Sequence, residues 1–195
     1  LIESFHKKLE FGTGGMRGLI GIGSNRINSY TISLATQGLC NYLNKDINKN
    51  KSAVIAYDSR RFSKEFGYQT AKIFSANNIK TFIFSELRPT PELSFAVREL
   101  NCTCGIVITA SHNPKEYNGY KVYWNDGGQI TAPHDKNIIS EVEKITDFKQ
   151  INFNFNSDLI EEIDSKIDKK YIDKIQSLSL YDNCLLYTSP SPRDT

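Results

Sequence analysis

Hydrophobic residues along this chain follow two spacings in turn, and the change of spacing predicts alternating helices and strands. From about residue 31 to 47, apolar side chains recur at steps of three and four, which predicts a helix with one buried stripe. The same spacing predicts helices at about 63–77 and 159–178, and a further helix is expected near 133–145. A helix at about 90–100 is predicted from its start, where Thr90 can act as N-cap before Pro91 and Glu92. Short apolar runs predict strands at 53–57, 81–84, 105–109 and 119–124.

The order of these elements predicts an α/β fold. Strand, helix, strand, helix and strand, with continuously apolar strands, is typical of right-handed crossovers and a parallel sheet covered by helices. The run at 119–124 follows the third strand without a helix between them, so we expect it to be antiparallel. The pattern therefore predicts a mixed, mostly parallel sheet with helices on both faces.

Composition narrows the class of protein. The chain has 195 residues, with 24 Lys plus Arg against 22 Asp plus Glu, which excludes a disordered acidic tail or a histone-like basic protein. This balance gives no electrostatic reason to expect nucleic acid or a membrane surface as a partner. The spacing of the four cysteines, at positions 40, 102, 104 and 184, matches neither a zinc site nor a dense disulfide framework. We therefore expect a cytoplasmic protein with reduced thiols.

Three polar clusters, at 58–60, 88–90 and 111–114, follow the predicted strands directly. Ligands of open α/β sheets bind beyond the carboxyl ends of the strands. The third cluster places a hydroxyl, an imidazole and an amide on a loop stiffened by Pro114, which can hold the Ser111 hydroxyl in one orientation for phosphoryl exchange. The alternative is that these side chains only hydrogen-bond the turn.

A glycine-rich segment, FGTGGMRG, occupies residues 11–18. Glycines let backbone N–H groups approach an anion closely, and Arg17 can clamp phosphoryl oxygens with its planar fork. The segment is not a Walker A motif, because no Lys-Ser or Lys-Thr pair follows its last glycine, and no predicted strand precedes it as in a dinucleotide-binding fingerprint. A tight structural turn is the alternative interpretation.

Taken together, these motifs resemble the α-D-phosphohexomutases, a family that includes phosphoglucomutase, phosphomannomutase and phosphopentomutase. The matching runs are LEFGTGGMRG, NRINSYTI, IAYDSRRFS, ELRPTPELSFAVREL and GIVITASHNPKEYNGYKVYWNDGGQIT, from Leu9 to about Ile145. The run TASHNPKEYNGYK is similar to the family's phosphoserine loop, and FGTGGMRG is similar to its N-terminal loop. The run ELRPTPELSFAVREL is more narrowly similar to the bacterial phosphoglucomutase and phosphopentomutase branch.

This resemblance implies an isomerase that acts as an intramolecular phosphotransferase. It would interconvert a sugar 1-phosphate and a 6-phosphate or 5-phosphate through a phosphoserine, with a sugar 1,6-bisphosphate as intermediate and activator. The phosphoserine position corresponds to Ser111, whose phosphate would carry a charge of roughly −1.5 to −2. The resemblance therefore implies Mg²⁺, with the Ser111 phosphoryl oxygen as one ligand.

The resemblance also assigns roles to neighbouring residues. His112 would donate to the phosphoryl oxygens, and Arg17 would bind phosphate and stabilise the transferring charge. Lys121 corresponds to the lysine that acts in general acid–base proton transfer, which near neutral pH requires a lowered pKa. Thr13 and Asn118 would support phosphate binding, although a purely structural role is equally open for both.

The family's proteins have four domains, and the resemblance implies that this chain carries the first. We expect residues 1–146 to form that domain, 147–183 to lead helically toward the second, and 184–195 to be foreign. The last stretch, CLLYTSPSPRDT, resembles a translated sequencing adapter. The family's Asp-Gly-Asp-x-Asp-Arg metal loop does not occur in the 195 residues. We therefore expect domains II–IV as intramolecular partners and an inactive chain without them.

Two other functions stay open at this point. A binding module could hold a sugar phosphate on the same loops without transferring phosphate. A serine hydrolase would need glycines on both sides of Ser111, where the sequence has Thr109 and Asn113. Glucose, mannose, glucosamine and pentose phosphates are not distinguished, because the loop that selects the sugar does not occur in the sequence.

Overall fold

The computed structural model describes residues 2–12, 14–46 and 51–179. These residues fall into two compact units, which are divided between Asp164 and Ser165. In the described part of the second unit there is one helix, α6 (Ser165–Gln176). Across the described ranges, no helix combines the length and the apolar character needed to cross a membrane.

The first unit is built on a six-stranded sheet. Its strands are β1 (Gly15–Leu19), β2 (Ser52–Tyr57), β3 (Lys80–Phe84), β4 (Cys104–Ile108), β5 (Tyr117–Trp124) and β6 (Ile160–Ile163). Its helices are α1 (Ile2–Phe5), α2 (Ser29–Leu43), α3 (Ser63–Ala76), α4 (Thr90–Glu99) and α5 (His134–Glu143). Two short 3₁₀ turns, Phe148–Gln150 and Ser157–Leu159, precede β6.

The strand order is β1-β5-β4-β2-β3-β6. Strands β4, β2, β3 and β6 are parallel to one another. Strand β5 is antiparallel to both of its neighbours, β4 and β1. The expected mixed, mostly parallel sheet is confirmed, and so is the antiparallel strand at 119–124. The carboxyl ends of β2, β3 and β4 consequently lie at one edge of the sheet.

Helices cover both faces of the sheet. A Cβ placed on Gly67 of α3 would contact the side chains of Tyr57 and Ile55, so α3 packs on the face to which these β2 residues point. A Cβ on Gly105 would contact Val97 and Leu93 of α4. Because Gly105 pairs with Val54, which points away from the Ile55 face, α4 covers the opposite side.

The helix predicted at 31–47 begins earlier than expected. The Asn28 side chain accepts hydrogen bonds from the backbone N–H groups of Tyr30 and Thr31, both at 3.0 Å, so it caps the helix and α2 starts at Ser29. The helix ends at Leu43, and Ile47 lies outside the described residues. The cap was missed because apolar spacing locates a helix better than it locates the ends.

Two segments differ from the sequence-based expectation. The helix expected at 159–178 is wrong at its start, since Ile160–Ile163 forms β6 beside β3, and α6 begins at Ser165. The glycine-rich segment was expected to be a loop, but Gly15–Leu19 forms β1. Both are edge strands, whose pairing depends on a distant partner and not on their own apolar pattern. The domain division at residue 146 stays a prediction.

Three cysteines, Cys40, Cys102 and Cys104, are buried free thiols. Burial raises the pKa of Cys102 to about 11, which keeps its thiol protonated and unreactive. Cys184 lies outside the described residues.

Gly38 allows the close packing of α2 on α5. A Cβ at this position would lie 2.3 Å from Val142 Cγ2 and 2.8 Å from Val142 Cα. We expect Gly38→Ala to lower the free energy of unfolding by about 1 to 3 kcal/mol. This figure is the net change: the clash outweighs the gain of roughly 1 kcal/mol that alanine has over glycine in a helix, because the Cβ would also meet backbone atoms of Val142. Urea denaturation followed by circular dichroism measures the change.

Gly12→Ala is the matched control, because among the described residues a Cβ there would come near only the Gly15 carbonyl oxygen, at 3.8 Å. Equal denaturation midpoints for the two variants would contradict the packing argument.

Candidate active site

The site lies where the loops after β2 and β4 meet. Because β2 and β4 are neighbouring parallel strands, the clusters 58–60 and 111–114 leave the sheet side by side. They border an open cleft of about 660 Å³, whose lining includes Ser59, Arg61, Ser111 and Lys115. The expectation that the polar clusters share one edge of the sheet is therefore confirmed for these two.

Ser111 adopts a left-handed backbone conformation, with φ at 58°. Its N–H donates to Thr109 Oγ1 at 2.9 Å, and its carbonyl accepts from Arg60 Nη2 at 2.8 Å. The Ser111 side chain is exposed, with Oγ 3.4 Å from His112 Nδ1. Both peptide groups that flank Ser111 are thus held by side chains, while the hydroxyl faces solvent.

The carboxylate of Asp58 anchors these supports. Its Oδ2 accepts from Thr109 Oγ1 at 2.6 Å and lies 3.4 Å from Arg60 Nε. Its Oδ1 accepts from Ser63 Oγ at 2.9 Å and from the Arg60 backbone N–H at 3.0 Å. Asp58 therefore connects the end of β2, the start of α3 and the loop that carries Ser111.

Arg17 reaches the same loop from β1. Its Nη1 donates to Asn113 Oδ1 at 2.6 Å, although the two residues are 96 positions apart. Close strand contact makes this possible, since a Cβ on Gly15 would lie 1.9 Å from the Tyr120 carbonyl oxygen. A Cβ on Gly119, the register partner of Arg17, would lie 2.6 Å from the Thr109 carbonyl oxygen. The glycines thus let β1, β5 and the loop approach each other.

Lys121 lies on β5, and its side chain points to the same face of the sheet as Arg17. In the β1–β5 register, Lys121 pairs with Gly15, and Gly15 is two residues before Arg17 on β1. Paired residues, and residues two apart on a strand, point to the same face of a sheet. Desolvation and the positive charge of Arg17 lower the pKa of Lys121, while Asp58 opposes the shift. The neutral amine, which can accept a proton, is therefore more accessible here than in an ordinary lysine.

Asn118 is buried beside the start of α3 and does not face the cleft. Its side chain is fully buried; its Nδ2 donates to Ser63 Oγ at 2.9 Å and to the Arg61 carbonyl at 3.1 Å. Its Oδ1 accepts from the Gly119 N–H at 2.8 Å. Asn118 thus joins β5 to the start of α3. Thr13, the other predicted support, lies outside the described residues.

Comparison with known proteins agrees with this geometry. The sequence profile described as phosphoglucomutase/phosphomannomutase, alpha/beta/alpha domain I matches residues 8–149. The chain belongs to the phosphoglucomutase/phosphomannomutase family. This region contains both the Ser111 loop and the Arg17 strand, so the resemblance inferred from the motifs is confirmed.

Curated relatives include two staphylococcal phosphoglucomutases. The one from Staphylococcus haemolyticus (strain JCSC1435) is 39% identical over 180 residues, which are 90% of this chain and 33% of the relative. The one from Staphylococcus aureus (strain MRSA252) is 41% identical over 182 residues, again 33% of its length. The chain thus spans about a third of the length of the curated relatives it matches.

Solved structures of family members have the same fold. A Thermus thermophilus protein assigned as a phosphomannomutase superposes with a TM-score of 0.75 at 25% identity, over 88% of this chain and 36% of that one. The phosphoglucomutase pp63/parafusin from Paramecium superposes with a TM-score of 0.70 at 22% identity, over 92% and 37%. The second likeness shows the fold alone.

Sequence reasoning missed the supporting residues of this family site. It noted the cluster 58–60 but gave no role to Asp58 or Arg60, and it treated Thr109 only as the residue that breaks a hydrolase motif. Their position directly after neighbouring parallel strands was the available signal. Arg88, in the remaining cluster, forms ion pairs with Asp164 at 3.4 Å and with Glu92 at 3.9 Å.

The expected magnesium ion has no complete set of ligands among the described residues. They contain no group of three or more His, Cys, Asp or Glu side chains that could hold a metal. Asp58 is bound to Arg60, Ser63 and Thr109. The residues present do not fit a magnesium site by themselves, and Mg²⁺ with Ser111 as a ligand stays a prediction of the resemblance.

Removal of the positive charge of Arg17 tests whether this charge contributes to the lowered pKa of Lys121. We expect Arg17→Gln to raise the pKa of Lys121, because a positive charge near the ammonium disappears while the side chain stays polar. Carbon NMR titration of Lys121 Cε measures this change. Arg98→Gln on α4 is the control, since Arg98 binds Ser94 and the Asp126 carbonyl. An unchanged Lys121 pKa in Arg17→Gln would contradict the assigned cause.

Proposed function

We propose that this chain is the phosphoserine domain of a sugar-phosphate mutase, an isomerase that moves a phosphoryl group within one sugar. The observation that carries the proposal is that the Ser111 hydroxyl is exposed while side chains of Thr109 and Arg60 hold the peptide groups on either side of it. A hydroxyl that receives and returns a phosphoryl group gains from a fixed position, because orientation removes much of the entropic part of the barrier.

The first transfer runs from phosphorylated Ser111 to the sugar. A free hydroxyl oxygen of the sugar monophosphate attacks phosphorus, so that a P–O bond forms to the sugar while the bond to Ser111 Oγ breaks. The hydroxyl proton leaves the attacking oxygen, and Oγ gains a proton. The products are a sugar bisphosphate and free serine, and no oxidant or reductant is needed.

The second transfer restores the enzyme. The bisphosphate turns round, and Ser111 Oγ attacks its other phosphorus and loses its proton. The bond from that phosphorus to the sugar oxygen breaks, and the sugar oxygen gains a proton. For a hexose this converts a 1-phosphate to a 6-phosphate through a 1,6-bisphosphate; for a pentose the product is a 5-phosphate. The proposal assigns sugar selection to none of the described residues.

Neighbouring side chains suit the charge and proton movements of both transfers. Arg17 and His112 lie beside the Ser111 loop, where they can donate to phosphoryl oxygens. The lowered pKa of Lys121 favours a neutral amine, which can take the proton from the attacking hydroxyl and later return it. We propose these three residues as the catalytic groups around Ser111.

Replacement of the acceptor tests the proposal. In the complete protein that contains this chain, we expect Ser111→Ala to reduce mutase turnover by a factor on the order of 10³ or more, because the nucleophile is lost. A coupled assay with glucose 1-phosphate and glucose 1,6-bisphosphate measures turnover, and intact-mass analysis measures phosphate on the protein. Ser29→Ala, which changes an exposed serine in the first turn of α2, is the control.

The same experiment separates an enzyme from a binding module. A module that holds sugar phosphate without transfer gains no covalent phosphate in the wild-type protein, and Ser111→Ala leaves its properties unchanged. Covalent phosphate that is absent from Ser111→Ala and present in Ser29→Ala supports the mutase.

Turnover should also depend on the rest of the protein. We expect the 195-residue chain alone to show no mutase activity above background, since transition-state stabilisation needs contacts on both ends of the bisphosphate. The coupled assay, run at equal molar concentrations of this chain and of the complete protein, tests this expectation. Circular dichroism confirms that the chain used is folded. Comparable turnover by this chain and by the complete protein would contradict the expectation that the chain alone is inactive.

A further inference from the structure

Arg60 holds the Ser111 loop through its main chain. Its Nη2 donates to the carbonyls of Ser111 and Asn113 at 2.8 and 2.6 Å. Its Nη1 donates to the carbonyls of Pro114 and Tyr117 at 2.8 and 3.0 Å. Four hydrogen bonds from one guanidinium therefore span the turn from Ser111 to the first residue of β5.

The guanidinium is itself fixed in place. Its Nε lies 3.4 Å from Asp58 Oδ2, and the Arg60 backbone N–H donates to Oδ1 of the same carboxylate. The Arg60 side chain is only 14% exposed. The low exposure of the side chain and its pairing with Asp58 limit the motion of the guanidinium, so the fork is a rigid support for the loop.

We propose that Arg60 is a positioning residue, which keeps the Ser111 backbone in the left-handed conformation that presents Oγ to the phosphoryl group. This inference rests on the proposed function, because it concerns the same hydroxyl. Both Nη atoms of Arg60 are bound to loop carbonyls, so Arg60 acts through the loop backbone and not on the sugar.

Lysine cannot replace arginine in this role. An ammonium is a compact charge on a flexible chain, whereas the guanidinium presents donors in a planar fork whose directions are fixed. Arg60→Lys keeps the charge beside Asp58 but cannot reach four carbonyls with the same geometry. The Arg60→Lys variant therefore removes the positioning of the loop while the positive charge remains.

The test compares Arg60→Lys with Arg26→Lys in the complete protein. Arg26 is a matched control, because its side chain is 13% exposed and it is bound to Glu3 and to the Asn25 carbonyl, outside the Ser111 loop. We expect Arg60→Lys to lower kcat about 100-fold, the scale of a displacement of about 1 Å in a reacting group. We expect KM to stay near the wild-type value, and Arg26→Lys to leave kcat unchanged.

Equal kcat values for Arg60→Lys and wild type would overturn the inference, as would a rise in KM with kcat unchanged. If Ser111→Ala abolishes turnover while Arg60→Lys does not lower it, the mutase proposal stands and the role of Arg60 fails. If Ser111→Ala keeps full turnover, the proposed function fails and the role of Arg60 fails with it.

Hydrogen exchange provides a measurement that does not depend on turnover. In the wild-type protein we expect protected amides at Ser111, bound to Thr109 Oγ1, and at Asn113, bound to the Ala110 carbonyl. In folded Arg60→Lys we expect both amides to exchange faster, while amides in α3 keep their rates. Unprotected amides at these two positions in the wild-type protein would overturn the inference.

Discussion

The site depends on a backbone conformation that a serine does not adopt without support. A non-glycine residue in the left-handed region costs on the order of 1 to 3 kcal/mol, and Ser111 has φ at 58°. The bond from Arg60 to the Ser111 carbonyl and the bond from the Ser111 N–H to Thr109 Oγ1 both hold this conformation. Asp58 completes the arrangement, because it holds both Arg60 and Thr109. The parallel pairing of β2 with β4 brings all these groups together.

A second constraint is the close contact of β1 with β5, which determines how near the charges of Arg17 and Lys121 lie to each other. Without side chains at Gly15 and Gly119, the strands and the Thr109 carbonyl come close enough for Arg17 and Lys121 to share one face of the sheet. The guanidinium of Arg17 then acts in two ways. It offers donors beside the Ser111 loop, and its charge contributes to the lowered pKa of Lys121. The same pair therefore places hydrogen-bond donors beside the Ser111 loop and lowers the pKa of Lys121.

Features encoded locally could be predicted from the sequence, and features that depend on distant pairing could not. The central helices and parallel strands have clear apolar periods, and the motif TASHNPKEYNGYK marked Ser111 and Lys121 as candidates by resemblance. Strand β6 reads IEEI, which has no strand-like period of its own and forms only beside β3. The role of Arg60 likewise depends on contacts with residues more than 50 positions away along the chain. The polar cluster indicated the place, but local sequence carries no information on which carbonyls the guanidinium reaches.

The proposed role of Lys121 limits how phosphate charge can be balanced. A phosphoserine carries roughly −1.5 to −2 charges near neutral pH. A lysine that accepts a proton is neutral at that moment, so Lys121 cannot serve as base and as full counter-charge in the same step. Arg60 is already paired with Asp58, whereas Arg17 lies beside the loop with its charge directed to an amide and not to a carboxylate. One guanidinium does not balance a phosphoserine and a second phosphate on the substrate. Arg61 and Lys115 line the same cleft as Ser111 and are described groups that can add positive charge there.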